Sequence, residues 1–103
     1  MHARVTRFSS SPDKIEEGIK LIKETIVPGA KKIAGFKGGY WLLDRKASKG
    51  FSVTLFESES ALKASADAAA QLRARATSTG VQITGIEEYE VVAEAKVEEL
   101  ARA

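Results

Sequence analysis

The chain has 103 residues, the size of one small domain, and its 44% hydrophobic and 29% charged residues are typical of a globular protein. It contains no cysteine, which excludes disulfides, thiolate metal sites and cysteine nucleophiles. Its net charge of +2 is too small to indicate a nucleic-acid partner by itself, and no apolar run is long enough to span a membrane.

The chain begins with a predicted strand over residues 2–8. Its loose alternation of apolar and polar residues, together with the charges of Arg4 and Arg7, favours a strand and excludes a signal peptide. We therefore expect a cytoplasmic protein that does not associate with a membrane.

A helix with one apolar face is predicted next. Ser11 is a candidate N-cap, and Pro12 suits the first helical position. Spacings of three and four residues place four isoleucines on one face: Ile15, Ile19, Ile22 and Ile26. We expect Pro28 and Gly29 to kink or break this helix before a last turn at residues 31–33.

Two strands joined by a polar turn follow, the second strand ending near residue 45 and the third spanning residues 50–57. Alternation in the second strand separates two sets of side chains: Phe36, Tyr40 and Leu42 on one face, Trp41 and Leu43 on the other. Alternation in the third separates Phe51, Val53 and Leu55 from Ser52, Thr54 and Phe56. Both faces of the predicted sheet therefore carry large apolar residues.

A second helix over residues 59–77, with Ser58 as a candidate cap, is rich in alanine. Its predicted inner face, which includes Ser65, Ala69 and Ala76, fills little volume. The helix therefore either lies close to the sheet or leaves space for a small ligand. The candidates to line that space are Ser52, Thr54 and Phe56.

A final strand over residues 81–92 completes the order β-α-β-β-α-β, and residues 94–103 form a charged tail after a domain of residues 1–93. This order predicts an α+β ferredoxin-like fold with a four-stranded antiparallel sheet and both helices on one face. The other face also carries apolar residues, so we expect a second sheet to cover it in a homodimer.

Three segments resemble motifs of the antibiotic biosynthesis monooxygenase-like family of dimeric α/β barrels. Residues 35–39 are similar to its Gly-Phe-x-Gly entry to strand two. Residues 52–62 are similar to its strand-three signature, which ends Trp-Glu-Ser-x-x-Ala-Leu, and residues 87–92 look like its last strand. The resemblance covers residues 2–93 and implies a homodimeric α/β barrel with a pocket between each sheet and its helices.

The resemblance also implies a monooxygenase that uses no cofactor or metal and acts on a small aromatic or polyketide-like molecule. Such a site must hold a substrate anion near O₂, which needs an arginine or a hydroxyl donor in an apolar pocket. The catalytic candidates are Arg7, Thr6 and Thr54. The substrate-binding candidates are Arg4, Ser52, Phe56, Trp41 and Tyr40. Because Tyr40 and Trp41 are adjacent on a strand, at most one of them lines a given pocket.

The haem-degrading branch of the family uses an Asn on strand one, a Trp at the end of strand three and a His on helix two. Here Thr6 and Phe56 occupy the first two positions, and the single histidine is His2. These departures argue against haem degradation.

Two alternative functions stay open from the residues. A non-catalytic ligand-binding or structural homodimer agrees with the lack of a catalytic His, Cys or Asn. An RNA-binding RRM has the same element order and a Lys-Gly-Phe start to strand three, as at residues 49–51. However, Val53 and Arg4 stand where stacking aromatics are expected, so we predict no nucleic-acid partner. Glu87 and Glu88 face opposite sides of a strand and predict no metal site.

Overall fold

A single antiparallel sheet organises the chain, and the computed structural model describes residues 1–97. Its strands are β1 (His2–Ser9), β2 (Phe36–Asp44), β3 (Lys49–Phe56) and β4 (Gln82–Glu90). They lie in the order β2-β3-β1-β4, and each neighbouring pair is antiparallel. The predicted α+β ferredoxin-like fold is therefore confirmed. The homodimeric barrel concerns a second copy of the chain and stays a prediction.

The first helical segment widens before Pro28 instead of breaking there. A short 3-10 turn (Pro12–Lys14) leads into α1 (Ile15–Leu21), a π-helical turn (Ile22–Ile26) and α2 (Val27–Lys31). In the π turn, the Val27 N–H donates to the Ile22 carbonyl. Proline has no N–H to donate, and a π turn is one way a helix accommodates such a gap. Ser11 occupies the N-cap position before Pro12, as predicted, but its side chain makes no capping hydrogen bond.

The second helical segment is two helices, α3 (Glu59–Ala64) and α4 (Ala66–Thr77), where the sequence predicts one. Ser58 caps α3 as predicted, because its Oγ accepts a hydrogen bond from the Ala61 N–H at 3.0 Å. The break comes at Ser65. The Leu62 carbonyl accepts hydrogen bonds from the Ser65 hydroxyl at 2.6 Å and from Arg4 at 3.1 Å. An arginine of the sheet thus competes for a carbonyl at the end of α3.

The two faces of β3 are as predicted, whereas one residue of β2 is reversed. Phe36 pairs with Phe56, but Gly38 pairs with Leu55, so Lys37 is an extra residue in a bulge. The bulge moves Phe36 to the face that carries Trp41 and Leu43. There its ring meets the Phe56 ring edge-on, with centroids 5.9 Å apart.

The last strand is shorter than predicted and ends at Glu90. The Val91 N–H still donates to the Met1 carbonyl at 2.9 Å. Residues 91–97 have no regular secondary structure, and residues 98–103 of the predicted tail lie outside the described residues. No helix within residues 1–97 is long and apolar enough to cross a membrane.

The helices cover one face of the sheet, but few large side chains are fully buried there. Phe56 and Leu62 are the largest, each 1% exposed. Most large apolar residues of this layer, including Ile19 and Trp41, are only half-buried. The layer between sheet and helices is therefore incompletely filled.

Candidate functional site

A pocket of about 340 Å³ lies between the sheet and the helices. One wall is the isoleucine face of α1 and the π turn: Ile15, Ile19, Ile22 and Ile26. The opposite wall comes from α4 and includes Ala69, Leu72 and Ala76. The small side chains of α4 leave space instead of drawing the helix onto the sheet. Of the two predicted arrangements, the structure therefore shows the one in which the helix leaves space for a small ligand, and not the one in which it lies close to the sheet.

The helices meet closely beside this space. A Cβ added to Gly29 of α2 would lie 2.7 Å from Cδ2 of Leu72 in α4. Glycine permits this approach because it has no side chain. The pocket is thus bounded by a direct contact between α2 and α4.

The sheet contributes a floor of hydroxyl groups. Thr6 pairs directly with Ser52 and Arg4 with Thr54, so all four side chains share one face. Thr54 donates a long hydrogen bond of 3.4 Å to the Arg4 carbonyl. Within residues 1–97, the Thr6 and Ser52 hydroxyls have no hydrogen-bond partner in the protein. These two groups are available to a ligand.

Arg4 is the buried cation of this floor, with 4% of its surface exposed. Its Nη1 donates to Oγ of Ser65 at 3.0 Å, and its Nη2 donates to the Leu62 carbonyl. The guanidinium lies 5.6 Å from the centre of the Phe56 ring, and Nη2 is 3.8 Å from a carboxylate oxygen of Glu88. Burial lowers the pKa of Arg4, although arginine stays protonated in proteins.

Arg73 of α4 lines the same pocket and was missed by the sequence reasoning. Burial lowers its pKa, and its positive charge in turn lowers the pKa of Arg4. No carboxylate among the described residues lies within 4.0 Å of its guanidinium. The signal was present in the sequence, because Arg73 falls four residues after Ala69 and three before Ala76, on the predicted inner face.

The structure brings six predicted site residues together in this pocket: Arg4, Thr6, Trp41, Ser52, Thr54 and Phe56. It does not bring Arg7 or Tyr40 there. Neighbouring residues of a strand point to opposite faces, and both lie on the face away from the helices. Arg7 is therefore not placed to bind an anion in this pocket, whereas Arg4 lines it.

Arg7 is part of a separate polar chain on that open face. Its Nε donates to a carboxylate oxygen of Glu87 at 2.7 Å, and the Tyr89 hydroxyl donates to the other oxygen at 2.6 Å. The Arg7 guanidinium also lies 5.6 Å from the centre of the Phe51 ring. Glu88 faces the opposite way, towards Arg4, as the alternation predicts.

The pocket does not fit a haem. The usual axial haem ligands are His, Cys, Met and Tyr, and none of these residue types lines it. The single histidine, His2, lies outside the pocket with its Nε2 3.8 Å from Glu59. Within residues 1–97, no group of three His, Cys, Asp or Glu residues could hold a metal ion.

Two uncharacterized proteins of Mycobacterium tuberculosis match the chain at low identity. No protein-family model matches the chain. The uncharacterized protein Rv2558 of Mycobacterium tuberculosis is 25% identical over 91 residues, which are 88% of this chain and 39% of that protein. The chain thus spans well under half the length of this relative.

Solved structures match nearly the whole of this chain and nearly the whole of their own length. A Deinococcus radiodurans protein assigned to the antibiotic biosynthesis monooxygenases superposes with a TM-score of 0.74 at 13% identity, covering 95% of this chain and 99% of that one. The Streptomyces coelicolor monooxygenase ActVA-Orf6, solved with Nanaomycin D, gives 0.69 at 16% identity, with 95% and 92% covered. A MhuD variant, solved with two manganese protoporphyrin IX molecules per active site, gives 0.72 at 21% identity, with 94% and 100% covered.

These identities are low, so the likeness concerns the fold, and function has to be argued from the site. The matches nevertheless extend over nearly the whole chain, as does the resemblance in the sequence motifs. The chain therefore has the fold of the antibiotic biosynthesis monooxygenase-like proteins.

Proposed function

We propose that the chain binds a small aromatic or polyketide-like molecule in this pocket and oxygenates it without a cofactor. The observation that carries the proposal is the pair Arg4 and Arg73, which face an apolar pocket together with the hydroxyl side chains of Thr6, Ser52 and Thr54. An anionic oxygen held there gains charge-assisted hydrogen bonds in a setting with little water.

The expected chemistry follows from this electrostatic environment. Positive charge beside a bound phenol or enol favours its anion and lowers its pKa. Arg4 and Arg73 would supply the positive charge that stabilises the anionic oxygen, Thr6 and Thr54 would donate hydrogen bonds, and Trp41 would stack on the ring. An electron-rich anion of this kind can itself reduce O₂.

A dihydroxyanthrone illustrates the balance of such a reaction. Its ring CH₂ group loses a proton, and the resulting anion transfers electrons to O₂ as a carbon–oxygen bond forms. The hydroperoxide then loses water to leave a carbonyl group. One oxygen atom enters the product, the other leaves as water, and the substrate supplies all four electrons that reduce O₂.

The test is oxygen consumption by the purified chain with dihydroxyanthrone, followed by mass analysis after reaction with heavy-isotope O₂. We expect equal amounts of O₂ consumed and quinone formed, with one labelled oxygen in each product molecule.

Arg73→Gln is expected to lower the rate at least about tenfold, because the anion loses a charged donor. Arg75→Gln is the matched control, since Arg75 is exposed on the same helix and does not line the pocket. A rate equal to that without protein would refute the oxygenase proposal.

Non-catalytic ligand binding is the second candidate, and the acid–base content of the pocket favours it. The lining residues include no His, Asp or Glu, and the lysine among them, Lys23, is exposed to solvent. Under this alternative the same ligand binds but no O₂ is consumed. Binding by quenching of Trp41 fluorescence, measured beside the oxygen assay, separates the two functions.

We also propose that the chain works as a homodimer in the cytoplasm. The open face of the sheet carries exposed aromatic and aliphatic side chains, among them Tyr40 at 68% and Leu42 at 43% exposure. A second copy of the same sheet would cover them.

A further inference from the structure

The charged side chains that line the pocket are all cationic. Four cationic residues line it (Arg4, Lys23, Arg45 and Arg73), and no acidic residue does. Two of the four have carboxylate partners: Arg45 pairs with Glu16, and Arg4 lies 3.8 Å from Glu88. Lys23 is exposed to solvent. Arg73 is the half-buried cation without a carboxylate partner within residues 1–97.

Burying Arg73 beside Arg4 opposes folding. Each guanidinium loses hydration, and each raises the energy of the other's charge. Burial, and to a smaller extent this repulsion, lowers the pKa of Arg4. Arg4 has a structural reason for its position, because its hydrogen bonds to Ser65 and Leu62 join β1 to α3. Arg73 makes no hydrogen bond to another described residue, so a structural role does not explain its position.

We infer that the ligand of this pocket carries a carboxylate group that binds Arg73, in addition to its aromatic body. This inference rests on the proposed function and narrows its substrate class to aromatic acids. A planar guanidinium matches a carboxylate with two parallel hydrogen bonds. A single half-buried cation without a partner suits a monoanion, whereas a phosphate dianion would bring a second negative charge into the apolar part of the pocket.

The sheet also indicates the size of the aromatic body. Arg4 lies on β1, whereas Trp41 lies on β2, two strands away in the order β2-β3-β1-β4. Neighbouring strands are about 4.8 Å apart, so the strands that carry Arg4 and Trp41 lie roughly 10 Å apart. An aromatic acid with two fused rings spans this spacing, with its carboxylate at the arginine side of the pocket and its rings reaching towards Trp41.

The test compares three probes of one shape by isothermal titration calorimetry: naphthoate, naphthamide and naphthyl phosphate. We expect naphthoate to bind at least about tenfold more tightly than naphthamide. The carboxylate of naphthoate forms a salt bridge with the Arg73 guanidinium, whereas the amide offers only a neutral acceptor. We also expect it to bind more tightly than the phosphate. Equal affinity for acid and amide, failure of both to bind, or a preference for the phosphate would each overturn the inference.

Substitutions in α4 test whether Arg73 causes the preference for naphthoate over naphthamide. Arg73→Gln is expected to bring acid and amide within about twofold of each other, because it weakens binding of the acid far more than binding of the amide. Arg73→Lys keeps the charge and should keep part of the preference. Arg75→Gln should behave as the unmodified chain. A preference that survives Arg73→Gln in a protein with native circular dichroism would contradict the assignment.

The oxygen assay separates this inference from the function on which it rests. Oxygenation of dihydroxyanthrone without a preference for naphthoate would refute the carboxylate site and leave the oxygenase proposal in place. A preference for naphthoate without any O₂ consumption would support the carboxylate site and identify the chain as a binding protein.

Discussion

At the scale of single residues, the open face of the sheet holds a hydrogen-bonded chain of Arg7, Glu87 and Tyr89. The hydrogen bond from Arg7 is the main cause that lowers the pKa of Glu87, and the bond from Tyr89 adds to it. The hydrogen bond to Glu87 raises the pKa of Tyr89, because the neutral phenol is the donor. The complete chain therefore forms only while Glu87 is ionised and Tyr89 is protonated, whereas the Arg7–Glu87 pair needs only the ionised carboxylate.

This chain predicts an unusual titration of Tyr89. In a Tyr40→Phe background, the ultraviolet absorbance of the phenolate should appear above the ordinary pKa of about 10. Glu87→Gln should bring the transition back down towards that value. A Tyr89 transition at the ordinary pH in the presence of Glu87 would contradict the hydrogen bond.

The same shifts set the direction of the pH dependence of stability. A raised pKa in the folded state means that the contribution of Tyr89 is complete below about pH 10 and is lost as the pH rises through the folded value. The lowered pKa of Glu87 means that its contribution is complete above about pH 4.3 and is lost as the pH falls through the folded value.

At the scale of elements, α1 contains a glycine with no packing reason for it. A Cβ added to Gly18 would meet no atom within 4 Å. Gly35 differs, since its φ is +82° and a Cβ there would lie 2.6 Å from that of Ala61. Gly18 therefore weakens its helix without relieving any packing contact, whereas Gly35 permits the turn into β2.

Substitution by alanine should separate these two glycines. Gly18→Ala is expected to raise the free energy of unfolding by about 0.5–1 kcal/mol, because alanine loses less backbone entropy in a helix. Gly35→Ala should lower it by at least about 1–2 kcal/mol through backbone strain, before the clash is counted. Urea unfolding measures both. Destabilisation by Gly18→Ala would show that α1 needs a glycine at this position.

At the scale of the whole molecule, the sheet has a covered face and an open face. The helices cover the side with Arg4, Thr6 and Phe56. The open side includes Leu42 and Phe51, which are cross-strand partners. Apolar side chains that remain in water on a small domain favour association with a second sheet.

This arrangement predicts a dimer that dissociates when one charged side chain is introduced on the open face of the sheet. The unmodified chain should sediment as a dimer at micromolar concentration, and Leu42→Arg should sediment as a monomer with unchanged circular dichroism. Ala70→Arg is a matched control, because Ala70 is exposed on α4 and outside the pocket. A monomeric unmodified chain would refute the proposed homodimer.

The sequence by itself determined the element order, the isoleucine face of the first helical segment and the two faces of β3. Helical and strand periods are local properties that a sequence displays directly. The same periodicity placed Thr6, Ser52, Thr54 and Phe56 on one face, where the structure finds them. The capping hydroxyl of Ser58 was predictable for the same reason, since a cap depends on only three following residues.

Only the tertiary structure decided the features that depend on distant residues. The bulge at Lys37 turned Phe36 to the helix-covered face, which strict alternation could not show. The bond from Arg4 to the Leu62 carbonyl accompanies the break between α3 and α4, across 58 residues of sequence. Arg73 became a candidate site residue only when its helix was placed over Arg4. Local patterns determine which way a side chain points along its own element, whereas packing decides which other side chains it meets.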